Sequence, residues 1–476
     1  MLRGNDMEFT VLEQWINRTV WMDGCDVETE ARQSREEGRA ICELETDFKR
    51  LSAVPKPYES WYTPVGAGRN AQWLHEVQEI IDRVQSLPYR SDFPYVEPDD
   101  LEAIRAARPP SVLIGKWSCD EGLWFEKLSG GLLGRICGCM LGKPVEGWNR
   151  ASIRAVAALA GNWPIADYLR KLTPEEDSRL DPKSRRFVCP DSWLKNGIDG
   201  MVEDDDTNYT TIGFAILEKY GRDFTPLDVA AYWCGNVPIL HTCTAERVAY
   251  RNFVSHIVPP HSATHRNPYR EWIGAQIRAD YFGYANPGNP ERAAEWAWRD
   301  ACVSHVKNGI YGEMWVAAML AAAYVESDWK TIILAGLAQI PVKCRLREDV
   351  EMVLGAYANG DSFEMTMDHI HDQWDETDHH DWCHTNSNAQ VVAAALLYGE
   401  DSYEKTICLS IMHGFDTDCN AATCGSLWGV VHGASALPAK WTAPMNDTIR
   451  TGVHGYHEVA ISKLAKDMLE TAKANL

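Results

Sequence analysis

The sequence predicts an all-α protein, a compact multi-helix bundle that carries a helical N-terminal extension. Strand-like alternation is scarce, while apolar residues recur at helical spacing in segment after segment. Small residues also form two rows with a period of four: Gly130, Gly134, Gly138, Gly142 and Ala421, Gly425, Gly429, Gly433. Glycine inside a helix costs roughly 1 kcal/mol relative to alanine, so such rows make sense where a neighbouring helix packs backbone to backbone. Helix pairs in membranes use the same spacing, but no stretch here is long and apolar enough to span a bilayer.

Residues 1–125 read as the extension. Val27–Leu51 is charged and helix-prone, and Trp73–Leu87 carries Leu74, Val77, Ile80, Ile81 and Val84 at helical spacing. Pro88, Pro94, Pro98, Pro109 and Pro110 punctuate the join, as a linker or as a strap wrapped on the main domain. Residues 126–476 read as that main domain. Its helices are expected at Leu128–Leu141, Asp206–Tyr220, Pro290–Ser304, Tyr311–Val325, Asn388–Tyr398, Tyr403–Met412 and Asn420–Val431. Two longer irregular connections, Asn162–Asp199 and Val254–Asn289, suit lids or well-packed loops.

Composition narrows the function. A net charge of −22 and a pI near 5.1 argue against binding to a nucleic-acid duplex or an anionic membrane. The N-terminus has no apolar signal region, and the fourteen cysteines include no Cys-x-x-Cys pair. A cytoplasmic protein with reduced thiols is the expectation.

Two acidic runs stand out, Glu203-Asp204-Asp205-Asp206-Thr207 and Asp416-Thr417-Asp418, each just ahead of a predicted helix. A helix N-terminus favours carboxylates. Yet charges at this density repel unless a cation stands between them, and hard oxygen donors suit Mg²⁺, Mn²⁺ or Ca²⁺. Over-capped helices on a solvated face are the alternative. If the glycine rows face one centre, Glu146 converges with Asp416 and Asp418.

The run Gly138-Cys139-Met140-Leu141-Gly142-Lys143-Pro144-Val145-Glu146 and the two acidic runs resemble the ADP-ribosylglycohydrolases. Ser304-His305 and Pro438-Ala439-Lys440-Trp441 extend the resemblance over roughly residues 126–465. It implies a metal-dependent hydrolase that cleaves an N- or O-glycosidic bond of an ADP-ribosyl or related ribosyl conjugate, on a small molecule or a modified protein. It also implies a binuclear centre of two Mg²⁺, with Mn²⁺ as the other choice. Asp204, Asp205, Asp206, Asp416 and Asp418 would be the ligands, with Cys419 in the place of a family threonine. Glu146, Asp205 and Asp206 take the catalytic roles, Glu146 as general base, metal bridge or substrate positioner. A non-catalytic ADP-ribose-binding or structural relative, or a two-metal phosphohydrolase, are the rival readings.

The chain departs from the family pattern at three positions: Cys139 for Asp, Asp204 for Thr and Cys419 for Thr. Asp204 is expected to add a negative charge that tightens ion binding, and Cys419 to favour softer ions. Beyond Glu146, the expected substrate contacts are His305, Asn308, Tyr311 and Glu313 in a polar stretch opening an apolar helix, and His384 and Asn388 near the start of another. Capping and helix entry account for these residues as well. The run His369 to His384 fits no zinc spacing and reads as a solvated loop.

Overall fold

The structure is a computed structural model and describes residues 21–22, 26–54, 58–60, 63–64, 71–180 and 189–476. Three helices open it: α1 (Val27–Glu36), α2 (Glu45–Ser52) and α3 (Ala71–Gln85). Their apolar faces meet in a small core of Val27, Phe48, Leu51, Val77, Ile81 and Val84, distinct from the large core of the molecule. The other face of α1 is polar yet buried, with Glu30, Gln33 and Ser34 turned towards the main body. The proline-punctuated segment after α3 runs as a strap. The Val96 N–H donates to the Lys343 carbonyl (2.7 Å), the Tyr311 hydroxyl donates to the Pro98 carbonyl (2.6 Å), and Ile104 is buried in the large core.

The main body is helical. The helices that build the site are α4 (Glu121–Gly142), α5 (Asp205–Tyr220), α6 (Lys307–Ala323), α7 (Thr385–Tyr398) and α8 (Thr417–His432). Every residue of α6 is buried, as expected of a central helix that is apolar nearly all round. Four of these helices begin ahead of the apolar periodicity: α4 at Glu121, α6 at Lys307, α7 at Thr385 and α8 at Thr417. The first turns of α7 and α8 are polar, so they carry no apolar period to read. Asp120 caps α4 by accepting the Leu123 N–H (2.8 Å), a typical N-cap bond.

No pair of helices packs more extensively among the described residues than α4 and α8. They run antiparallel, with the two glycine rows against each other. A Cβ placed on Gly130 would lie 2.3 Å from the Gly429 carbonyl oxygen, on Gly134 2.2 Å from that of Gly425, on Gly138 2.0 Å from that of Ala421, and on Gly142 2.3 Å from that of Thr417. The four-residue rows are therefore the seam of the fold. Among the described residues, strand structure is limited to two short antiparallel pairs, β1 (Tyr58–Ser60) with β2 (Thr63–Pro64) and β3 (Thr448–Arg450) with β4 (Glu458–Ala460).

The irregular segment Val254–Asn289 is exposed in its first part, with Val254 and Val258 open to solvent, and is a packed wall in its second. Residues 267–287 are buried throughout, with Arg270, Glu271, Arg278 and Asp280 among them. The segment Asn162–Asp199 holds only short helical turns, and its residues 181–188 lie outside the described residues. No described helix is long and apolar enough to cross a membrane.

Candidate metal centre and active site

The seam fixes the site, because the C-terminal end of α4 meets the N-terminal end of α8. The Thr417 hydroxyl donates to the Gly142 carbonyl (2.9 Å), which locks the two ends together. Beyond Gly142 the chain turns through Lys143–Val145 and presents Glu146. On the α8 side, Gly414 (φ +82°) and Phe415 (φ +63°) precede Asp416. A bulky residue at positive φ is uncommon and costs energy that the surroundings must offset. Phe415 is fully buried and its ring stacks on His371 at 5.0 Å. This turn aims Asp416 inward: Asp416 is the N-cap of α8, yet its side chain makes no capping bond. The Asn388 side-chain oxygen on α7 accepts the Asp416 N–H (3.0 Å) and an Asn420 amide N–H (2.8 Å), which holds that turn.

The third side is the start of α5. Asp204 is its N-cap, and one carboxylate oxygen accepts the Asp206 N–H (2.9 Å). The other oxygen pairs with the Lys143 ammonium. Ligand atoms of Cys139, Asp204, Asp206 and Asp418 all lie within 4.8 Å of one another, and those of Asp416, Asp418 and Cys419 do so too. Asp418 belongs to both groups. Asp205, at the first position of α5, belongs to neither and is only half buried. Beneath them the fully buried Arg135 pairs with Asp206 (3.1 Å) and Asp280 (2.9 Å).

The carboxylates are crowded and short of positive charge. Burial, then the charges of Asp418 and Glu146, push Asp416 well above the usual carboxylate range. Burial and Asp204 push Asp418 up to about 7 and Asp205 up to about 6. Asp204 goes the other way: burial opposes its charge, but Lys143 holds it below the ordinary value. Glu146 is exposed to solvent. Even so, the protein atoms around its carboxyl, then Asp418, push it well up, while Lys143 pulls it down. Burial keeps the Cys139 and Cys419 thiols protonated, and the Cys419 thiol donates to Asp206 (3.2 Å).

One carboxylate oxygen on Asp416 and one on Asp418 are buried with no hydrogen-bond partner. A buried polar atom without a partner is costly. Oxygen donors orphaned side by side, with a thiol between the aspartates and Asp206, fit a divalent cation. The donor set therefore suits the ion that the sequence implied.

The remaining sequence-selected residues divide. Asn388 reaches the site as the holder of Asp416. His305, Asn308, Tyr311 and Glu313 are engaged by other protein groups. The Asn308 side chain donates to Glu97 (2.9 Å) and Glu271 (2.8 Å), and Tyr311 bonds to the strap. His305 is bonded to the Ser304 hydroxyl (2.8 Å), and Glu313 faces the Arg278 guanidinium at 3.5 Å. His384 caps α7, its Nδ1 accepting the Asn386 N–H (3.1 Å). Arg135 and Lys143 had no role in the sequence reading. A charge among the glycines of an otherwise apolar helix was the available signal for Arg135.

The histidine-rich run is solvated at His369, Asp372 and Asp375, but its end is not, since His380 and His384 are buried. Glu36, His380 and His384 bring ligand atoms within 4.8 Å of one another. However, His380 Nδ1 accepts the Trp272 indole N–H (3.0 Å), and His384 Nδ1 accepts a backbone N–H. Both neutral rings thus carry their proton on Nε2, facing Glu36, where a metal would need the lone pair. The cluster docks α1 instead.

No curated protein sequence matches the chain. Among solved structures, an "ADP-ribosylglycohydrolase-related protein complex" is similar over 75% of this chain and 100% of that one, at a TM-score of 0.48 and 15% identity. Residues 121–475, from the first residue of α4 almost to the C-terminus, match the ADP-ribosylglycohydrolase profile. The chain belongs to the ADP-ribosylglycohydrolase family.

Proposed function

We propose that the protein is a metal-dependent hydrolase that cleaves the N- or O-glycosidic bond at the ribose C1″ of an ADP-ribosyl or related ribosyl conjugate, on a small molecule or a modified protein. One observation carries the reading: the buried, unpartnered oxygens of Asp416 and Asp418 gather with Cys419 beside Asp206, and the exposed Glu146 feels the charge of Asp418. Family membership supplies the hydrolytic class.

Asp416, Asp418 and Cys419 hold the ion, Mg²⁺ or Mn²⁺, with Asp206 behind them. When bound, the ion polarises a substrate hydroxyl and lowers the pKa of a water. Glu146 is exposed to solvent, where a carboxylate can orient the attacking water and accept its proton. Bond cleavage at ribose develops oxocarbenium character, and the Asp205 and Asp206 carboxylates stabilise that charge electrostatically. Arg135 holds Asp206 in place and opposes the burial that pushes its carboxyl up. The described cysteines are free thiols, which supports a reducing, cytoplasmic setting.

The test is product analysis with arginine- and serine-linked ADP-ribose in the presence of Mg²⁺. Release of ADP-ribose with a free 1″-hydroxyl is expected. Inorganic phosphate or AMP as the product would establish a phosphohydrolase. Binding of ADP-ribose without turnover of either conjugate would make the protein a binding member of the family.

A further inference from the structure

We propose that the Lys143 ammonium takes the place of one of the two cations expected in this centre, so that the protein binds a single divalent ion on the Asp416–Asp418–Cys419 side. The inference rests on the metal-dependent reading above and departs from the two-ion expectation.

The two halves of the acidic cluster differ in how their oxygens are used. Both oxygens of Asp204 are taken, one by the Asp206 N–H (2.9 Å) and the other by Lys143. Both oxygens of Asp206 are taken as well, by Arg135 (3.1 Å) and by the Cys419 thiol (3.2 Å). On the other half, Asp416 and Asp418 each keep a buried oxygen with no partner. The oxygens without a partner thus belong to Asp416 and to Asp418, which the two groups share, while Asp204 and Asp206 have none to spare.

Lys143 is not a passing surface contact. Its side chain is 11% exposed, against 1% for the Asp204 carboxylate it meets. Its ammonium also lies over the Trp193 ring at 4.8 Å, a cation–π contact that holds it from the far side. A lysine ammonium is a compact point charge with three donors and no acceptor. It therefore satisfies carboxylates much as a bound cation does. A divalent ion seated among Cys139, Asp204, Asp206 and Asp418 would meet that ammonium at ion-pair range and be repelled. The sequence departure at Asp204 then has a partner on the page. The aspartate and the lysine are a matched pair, and the extra negative charge of Asp204 is cancelled within the protein.

Manganese alone is the probe. Calorimetric titration of the metal-free full chain with Mn²⁺ should give one ion per chain, and electron paramagnetic resonance should show an isolated, uncoupled Mn²⁺. Lys143→Ala should admit a second ion and produce a spin-coupled pair. The charge-neutral double variant Lys143→Met/Asp204→Asn should still bind one ion, within about threefold of the wild-type affinity, because neither side chain touches it. Two coupled ions in the wild type would overturn the proposal and leave the hydrolase reading intact. A single ion in folded Lys143→Ala, or a tenfold weaker ion in the double variant, would overturn it as well. No Mn²⁺ bound to the wild type would defeat the metal-dependent reading itself. Should Lys143→Ala fail to fold, the wild-type stoichiometry and the double variant still decide.

Discussion

Two junctions hold this molecule together by opposite means. Along the α4–α8 seam, backbone lies on backbone, and a single methyl at Gly138 would sit 2.0 Å from the Ala421 carbonyl oxygen. Between α1 and the main body, side-chain charge lies on side-chain charge. Arg270 pairs with Glu30 (2.8 Å) and Glu37 (3.0 Å), Arg32 with Asp378 (2.8 Å) and Asp381, and Gln33 with Glu271 (2.6 Å). The seam has no movable atoms and tolerates no addition. The docking face is made of flexible ends, and it tolerates rearrangement but no loss of a partner, because a buried charge left alone is expensive. The seam sets where the site is; the docking face decides how the N-terminal helices ride on it.

Gly138→Leu is the hardest test of the seam. The clash is with backbone, which cannot step aside as a side-chain tip would, so α4 and α8 must separate along their whole length. The expected loss is at or above the top of the overpacking range, about 3 kcal/mol, with unfolding of the whole domain. Chemical denaturation measures it. An unchanged midpoint would show that the helices part without cost, and the contrast between the junctions would collapse.

Arg270→Ala probes the other junction. It strips the guanidinium from Glu30 and Glu37, both fully buried. Removing one member of a buried pair costs about 3 kcal/mol or more. Here the loss should be local: α1–α3 release from the main body, while the seam and its large core stay folded. Limited proteolysis with mass spectrometry should show new cleavage between residues 26 and 107 in a protein of near-native helicity. Protection equal to wild type would mean that the small apolar core and the strap, rather than the ion pairs, hold the extension.

The same contrast explains what the sequence revealed. A seam of backbone contacts leaves a periodic trace, because each close approach demands a small residue, and Gly130 to Gly142 and Ala421 to Gly433 are spaced accordingly. The acidic runs were legible for a like reason: Asp204 to Asp206 and Asp416 to Asp418 are local concentrations of charge that helix capping does not require. The docking face left no trace. Arg270 lies 240 and 233 residues from its partners Glu30 and Glu37, and nothing local marks either glutamate as buried. Lys143 escaped for the same reason, since its partner Asp204 is 61 residues away. Asn308 and Tyr311 read as rim residues because polar groups at a helix start suit a binding loop equally well. The strap they hold, through Glu97 and Pro98, is visible only in three dimensions.

Asp418→Asn separates folding from function at the seam. Asp418 lies in the first turn of α8 and is not its N-cap, so the variant should fold and should lose divalent-ion binding in calorimetry. Wild type should be stabilised by saturating ion, about 2.7 kcal/mol at a hundredfold excess over Kd, and the variant should not. The ion-free proteins add a sign. The folded pKa of Asp418, about 7, lies above the unfolded carboxylate value, so stability is lost as pH rises from about 4 through 7. Metal-free Asp418→Asn should therefore melt no lower than metal-free wild type at pH 8. A lower melting temperature there would show that the aspartate supports the fold by itself.

Cys419→Thr is the mildest change and asks how far the seam's position, rather than its chemistry, sets ion choice. The Cys419 thiol now donates to Asp206 at 3.2 Å and flanks the orphaned oxygens of Asp416 and Asp418. A threonine hydroxyl can make the same donation from the same turn of α8, so stability should change by less than about 1 kcal/mol, the net worth of an ordinary hydrogen bond. What changes is donor softness, from sulfur to oxygen. Competition between Mn²⁺ and Mg²⁺, followed by the Mn²⁺ resonance signal, should shift towards Mg²⁺ in the variant by several-fold. With Asp204→Thr added, Lys143 loses its partner and faces the centre uncompensated, so affinity for either ion should fall without a further change in their order. An identical ion order in wild type and Cys419→Thr would mean that the thiol stays on Asp206 and never meets the ion, leaving the two aspartates alone to choose it.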